Sequence, residues 1–105
     1  MSTQMLELIR SRTQLVQLCE QNQVARLELF GSATTGRFDP TTSDLDFLVE
    51  FADQSPSGAS TRFFALRQGL AALFGRAVDL VEIQAIQNPY FLEAIAPTRQ
   101  VIYGN

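Results

Sequence analysis

The sequence predicts an α/β domain, and three observations carry that prediction. Leu27 and Leu29 fall on one side of Arg26-Leu27-Glu28-Leu29-Phe30 and Glu28 on the other, the period-two pattern of a half-buried strand. Asp44 to Phe51 is a second segment of the same kind, rich in residues that suit a pleated surface. Between and around such segments lie apolar stripes at helical spacing, which would cover the sheet.

Taken in order, Thr3 to about Gln21 shows Met5, Leu8, Ile9, Arg12, Leu15, Val16 and Cys19 near helical spacing, a first helix. The strand from Arg26 to Phe30 stops at Gly31, and Gly31-Ser32 leads into Ala33-Thr34-Thr35 as a helix start. The Asp44 to Phe51 strand follows, then a loop from Asp53 to Ala59 containing Pro56 and Gly58. Ser60 or Thr61 caps a helix whose Phe63, Leu66, Leu70, Leu73 and Phe74 form the apolar stripe, and Gly75 ends it. Phe63 and Phe64 are adjacent, so either the core face is wide or one of them is exposed to a partner. Val78, Leu80 and Val81 read as a mostly buried strand with Asp79 inside it. Asn88-Pro89 opens a helix that runs to about Ala96 and stops before Pro97, and Val101 to Tyr103 adds a short edge strand.

The chemistry concentrates in the segment from Leu29 to Phe51. Asp44 and Asp46 share one strand face, roughly 7 Å apart at Cα, close enough for their charges to compete unless a cation intervenes. Oxygen ligands of this type suit Mg²⁺, which completes its octahedron with waters and substrate phosphates. The structural alternative is a turn at Thr42-Ser43-Asp44 with an Asx-type bond, and Asp46 as a charge that discourages edge pairing. Just upstream, Gly31-Ser32 would free backbone N–H groups at a helix start, where an anion is favoured, or would be merely a turn glycine and an N-cap. Asp79 needs a cation or a proton if it is buried, and Arg76 or Arg37 is a candidate structural partner.

These residues resemble the minimal nucleotidyltransferases of the polymerase-beta-like superfamily, small proteins often encoded beside a HEPN-domain toxin. The matching pieces are Gly31-Ser32, Ser43-Asp44-Leu45-Asp46 opening a strand, Asp79 within Val78-Asp79-Leu80-Val81, and Asn88-Pro89-Tyr90. The resemblance runs from Leu29 to about Tyr103 and implies a small mixed sheet flanked by helices. It implies that Gly31 and Ser32 bind the nucleoside triphosphate and that Asp44, Asp46 and Asp79 hold two Mg²⁺ ions. Asp79 would also help to activate the acceptor hydroxyl. One departure stands out: the family's usual Arg-x-Arg-Gly run after Gly-Ser is replaced by Ala33-Thr34-Thr35-Gly36, which leaves Arg37 as the nearest cation for the nucleotide.

Composition narrows the rest. At 105 residues the chain is expected to form a single nucleotidyltransferase domain, 1–105, too small for a second lobe to hold an acceptor. A net charge of −3 disfavours a protein that grips nucleic acid through its phosphates, so no direct nucleic-acid binding is expected. With no histidine there is no Ser-His-Asp or Cys-His arrangement and no imidazole zinc site, which leaves carboxylate-bound hard metals. Cys19 is the single cysteine, so no disulfide framework forms within one chain. The first residues lack a basic start and no stretch has the length of a membrane helix, so the expected location is cytoplasmic.

Two functional readings lead, since the short chain and acidic balance disfavour a third, a transferase acting on a small molecule or an RNA end. The first is an Mg²⁺-dependent transferase that moves NMP, with ATP as the expected NTP, onto a Tyr hydroxyl of a HEPN-type toxin and so acts as its antitoxin. The second is a catalytically silent module that neutralises the toxin by binding alone.

Overall fold

The structure, a computed structural model, describes residues 12–34, 44–53 and 55–104. Helix α1 (Thr13–Gln21) leads into strand β1 (Val24–Phe30), a 3-10 turn (Gly31–Thr34) and strand β2 (Leu45–Phe51). Helix α2 (Ala59–Phe74) and strand β3 (Val78–Glu82) follow, then a 3-10 turn (Ile83–Ala85), helix α3 (Pro89–Ile95), a 3-10 turn (Ala96–Thr98) and strand β4 (Gln100–Tyr103). The part of the first helix expected before Arg12 lies outside the described residues.

The sheet has the order β3-β2-β1-β4. Strand β1 runs antiparallel to both β2 and β4, whereas β2 and β3 are parallel. A parallel pair cannot be joined by a tight turn, and α2 is the crossover that carries the chain back to the starting end of β2. Strand alternation then divides the side chains. Leu27 and Leu29 of β1, with Leu45, Phe47, Val49 and Phe51 of β2, meet Leu15 and Cys19 of α1 and Leu66 and Leu70 of α2 in one buried cluster. Phe47 has no exposed surface and stacks on Phe74 at a centroid distance of 6.0 Å. Burial pushes the Cys19 thiol up to about 12, with the Glu20 carboxylate adding to the shift.

On the opposite face the C-terminal third of the chain contacts the end of β1. Phe91 of α3 meets Phe30 edge-on at 5.9 Å, which brings α3 against the end of β1. Beside it, Glu28 is buried and held by Arg99 through two hydrogen bonds, Nε to Oε1 at 2.9 Å and a terminal nitrogen to Oε2 at 2.8 Å. Arg26 approaches the same carboxylate at 3.4 Å.

Helix ends follow local chemistry, with one difference from expectation. Gly75 ends α2 with φ +66°, and Asn88 caps α3 by accepting the Tyr90 N–H at 2.9 Å. The start of α2 is not capped by Ser60 or Thr61: Gly58, with φ +74°, precedes it, and Arg62 organises the loop by donating to the Asp53, Ser55 and Ser57 carbonyls. The Asn88 cap is expected to stabilise the chain measurably. Asn88→Ala should lower its unfolding free energy by about 1 kcal/mol, and an unchanged denaturation midpoint would show that the cap contributes nothing.

Candidate active site

The sheet register assembles the site. Asp46 of β2 pairs with Phe30, the last residue of β1, and on its other side lies directly opposite Asp79 of β3. Neighbouring strands are about 4.8 Å apart, so two carboxylates at matched positions of a parallel pair share one face at short range. The Asp46 carboxyl is accordingly raised above the usual carboxylate range, first by burial and then by the charges of Asp79 and Asp44. Asp44 is exposed, one residue before β2 begins.

Gly31 forms the second wall. It has φ +77°, a conformation that side chains resist, and a Cβ placed on it would lie 2.6 Å from the Asp46 Oδ2. Only glycine leaves the Asp46 carboxylate room to lie over the turn. The Gly31 N–H donates to the Thr98 hydroxyl at 3.0 Å, and the Thr34 hydroxyl donates back to the Gly31 carbonyl at 3.0 Å. Ser32 lies next in this turn, half-buried. Where the sequence predicts a helix start, the chain makes one 3-10 turn of four residues. Arg37, the expected phosphate-binding cation, lies outside the described residues.

Asp44 and Asp79, with Ala77 and Val78, line a cleft of about 300 Å³ together with Phe64, Arg67, Gln68 and Ala71 of α2. Arg67 reaches across to β3, its Nε donating to the Val78 carbonyl at 3.4 Å. Phe64 is 53% exposed, so of the adjacent phenylalanines it is Phe63 that packs on the core and Phe64 that faces out.

The structure therefore brings Gly31, Ser32, Asp46 and Asp79 side by side, with Asp44 at the edge of the group. Asp79 departs from the sequence expectation in one respect. It is exposed rather than buried, because Val78 and Leu80 take the core side of β3 while Asp79 takes the other. No buried arginine partner is therefore required. Arg67 went unnoticed in the sequence, where a lone arginine in a helix reads as a solvated charge; only the α2–β3 contact reveals it.

The acids also bear on metal binding. Among the described residues no group of three or more Asp, Glu or Cys side chains is gathered tightly enough to enclose an ion by itself. The donor set nevertheless suits a hard divalent cation that keeps several waters. Asp46 is half-buried with Asp79 opposite it, and a cation between them would relieve the repulsion between the two carboxylates. Among the described residues no helix is long and apolar enough to cross a membrane.

Residues 12–102 match the nucleotidyltransferase domain family. A Methanocaldococcus jannaschii protein, provisionally named a protein adenylyltransferase, is 37% identical over 78 residues, covering 74% of this chain and 76% of its own. The solved structure of a protein provisionally described as a minimal nucleotidyltransferase superposes with a TM-score of 0.66 and 29% identity, over 90% of this chain and 93% of that one. A Shewanella oneidensis MNT antitoxin, solved in complex with its tri-AMPylated HEPN toxin, shares the fold with a TM-score of 0.63 and 22% identity, over 95% of this chain and 73% of that one.

Proposed function

Because the chain belongs to the nucleotidyltransferase domain family, we propose that it transfers AMP from ATP to a tyrosine hydroxyl of a HEPN-type toxin and thereby acts as the toxin's antitoxin. The observation that carries this reading is the facing pair Asp46–Asp79 set against the glycine turn at Gly31. The AMP moiety and the toxin partner are supported by what the similar proteins are named for. The cytoplasm, which supplies ATP, is the location that fits.

Asp44, Asp46 and Asp79 are the residues that would hold Mg²⁺. Bound there, two ions supply charge neutralisation for the phosphates and for the bond being broken. The chain's own groups divide the remaining work. The turn at Gly31 and Ser32, with Arg37, receives the β- and γ-phosphates, so pyrophosphate departs on that side. In-line displacement then requires the acceptor oxygen to approach from the opposite side, and the cleft lined by Asp79, Phe64 and Arg67 is the surface proposed to receive it. The phenolic oxygen forms its bond to the α-phosphorus, the bond from phosphorus to the bridging oxygen breaks, and the phenolic proton passes to Asp79. Phe64 offers an aromatic surface to the acceptor ring, and Arg67 a cation beside it.

The direct test combines the chain with ATP, Mg²⁺ and its HEPN partner and weighs the partner by mass spectrometry. AMP should be added, protection should persist after the proteins are separated, and the Asp44→Asn, Asp46→Asn double variant should do neither. Equal protection by that variant, with no mass added, would instead establish a silent binding module, the reading favoured by Ala33-Thr34-Thr35-Gly36 in place of the arginine run. Within the enzymatic reading, Phe64→Ala should raise KM for the protein acceptor by roughly tenfold, about 1.4 kcal/mol of lost aromatic contact, and raise KM for ATP far less. An equal rise in both constants would move Phe64 to the nucleotide side.

A further inference from the structure

The Gly31 turn is not self-supporting. Its first N–H, which a phosphate-binding turn would be expected to offer to the nucleotide, is already used by Thr98, a residue 67 positions later in the chain. Thr98 makes two bonds through one hydroxyl, accepting from Gly31 at 3.0 Å and donating to the Ile95 carbonyl at 2.7 Å. The donated bond fixes the direction of the hydroxyl hydrogen, which leaves a lone pair aimed at Gly31. The next residue, Arg99, is itself anchored by the paired hydrogen bonds to buried Glu28. The segment from Ile95 to Arg99 is thus anchored to β1 through Arg99, and its Thr98 holds the glycine over which the Asp46 carboxylate lies.

The geometry points to Thr98 as a positioning residue for nucleotide transfer: it holds Gly31 in its left-handed conformation and so sets the distance between the phosphate turn and the Asp46 carboxylate. This rests on the transferase reading above and extends it to a residue outside the sequence motifs. The Gly31 N–H is consequently a structural donor, and the triphosphate is received by the groups that follow it in the turn. Thr98 touches neither nucleotide nor acceptor. Its effect is exerted through the backbone of Gly31.

Three proteins decide the matter: the wild type, Thr98→Val, which keeps the shape of the side chain and deletes both hydrogen bonds, and Thr98→Ser, which keeps the hydroxyl. Amide hydrogen exchange at Gly31, measured by NMR, should be at least tenfold faster in Thr98→Val than in the wild type and near the wild-type rate in Thr98→Ser. Steady-state transfer should show KM for ATP raised about tenfold in Thr98→Val, with KM for the acceptor changed much less, and restored by Thr98→Ser. Unchanged exchange, or faster exchange with unaltered KM for ATP, would overturn the proposal, as would a Thr98→Ser protein as impaired as Thr98→Val. A wild type that binds its partner and transfers nothing from ATP would overturn the proposed function itself, and normal wild-type transfer with an unaffected Thr98→Val removes only the positioning role.

Discussion

Asp46→Asn is expected to reduce AMP transfer by about 1,000-fold or more while leaving the fold intact. A carboxylate that holds catalytic metal contributes several kcal/mol of charge stabilisation in the transition state, and each 1.36 kcal/mol is a factor of ten. Stability should move the other way. The folded-state pKa of Asp46 is raised by burial and by Asp79 and Asp44, whereas in the unfolded chain it returns to about 3.9. A group raised on folding contributes stability that is full below the unfolded pKa and lost as pH climbs through the folded value. At neutral pH without metal the wild type therefore bears a repulsion that the asparagine variant lacks. The Tm of Asp46→Asn should equal or exceed that of the wild type at pH 7, and the difference should shrink toward pH 4. Mg²⁺ should raise the Tm of the wild type more than that of the variant. A large fall in Tm at pH 7 would show that Asp46 is a structural partner and not a metal ligand.

The largest loss of stability should come from Arg99→Ala. Glu28 is 5% exposed, and removing Arg99 takes away both of its short hydrogen bonds, leaving a buried carboxylate with Arg26 alone at 3.4 Å. Breaking a buried pair by deleting one member typically costs 3–5 kcal/mol, and because Arg26 remains the lower end applies, about 3 kcal/mol. For a chain of this size that is a fall in Tm of roughly 15 °C. Replacing both partners with apolar residues, Glu28→Leu with Arg99→Met, should recover most of it, since no charge is then left stranded. A single-variant loss below about 1 kcal/mol would mean that Arg26 suffices for Glu28.

These two results concern features that differ in how plainly the sequence shows them. Asp44, Asp46 and Gly31 are legible because strand alternation and glycine chemistry are local, and the register of β1, β2 and β3 does no more than bring local patterns together. The helix after Asn88-Pro89 and the final short strand are legible for the same reason, since a cap and an apolar run each act over a few residues. Arg99 and Glu28 lie 71 positions apart, and no local pattern relates a strand glutamate to an arginine so distant. Thr98 and Arg67 escape notice likewise, because their value comes from what tertiary packing places beside them. Asp79 shows the opposite fault: the apolar run around it suggested two buried faces, while an edge strand leaves its second face open to solvent.

The single cysteine gives the folded chain an internal clock. Cys19 is wholly enclosed by the helix–sheet cluster and its thiol is pushed up to about 12, so at pH 8 only about one molecule in ten thousand would carry a thiolate even if a reagent could enter. Alkylation must therefore wait until α1 lifts from the sheet, and with no second cysteine to confuse the signal each labelled molecule records one such opening. The labelling rate thus follows the population of the open form. Any ligand that binds only the closed chain slows the clock by the factor that its occupancy dictates. Whatever this domain binds, be it nucleotide, metal or protein, can be ranked on that one scale in unmodified wild-type protein, with no turnover required.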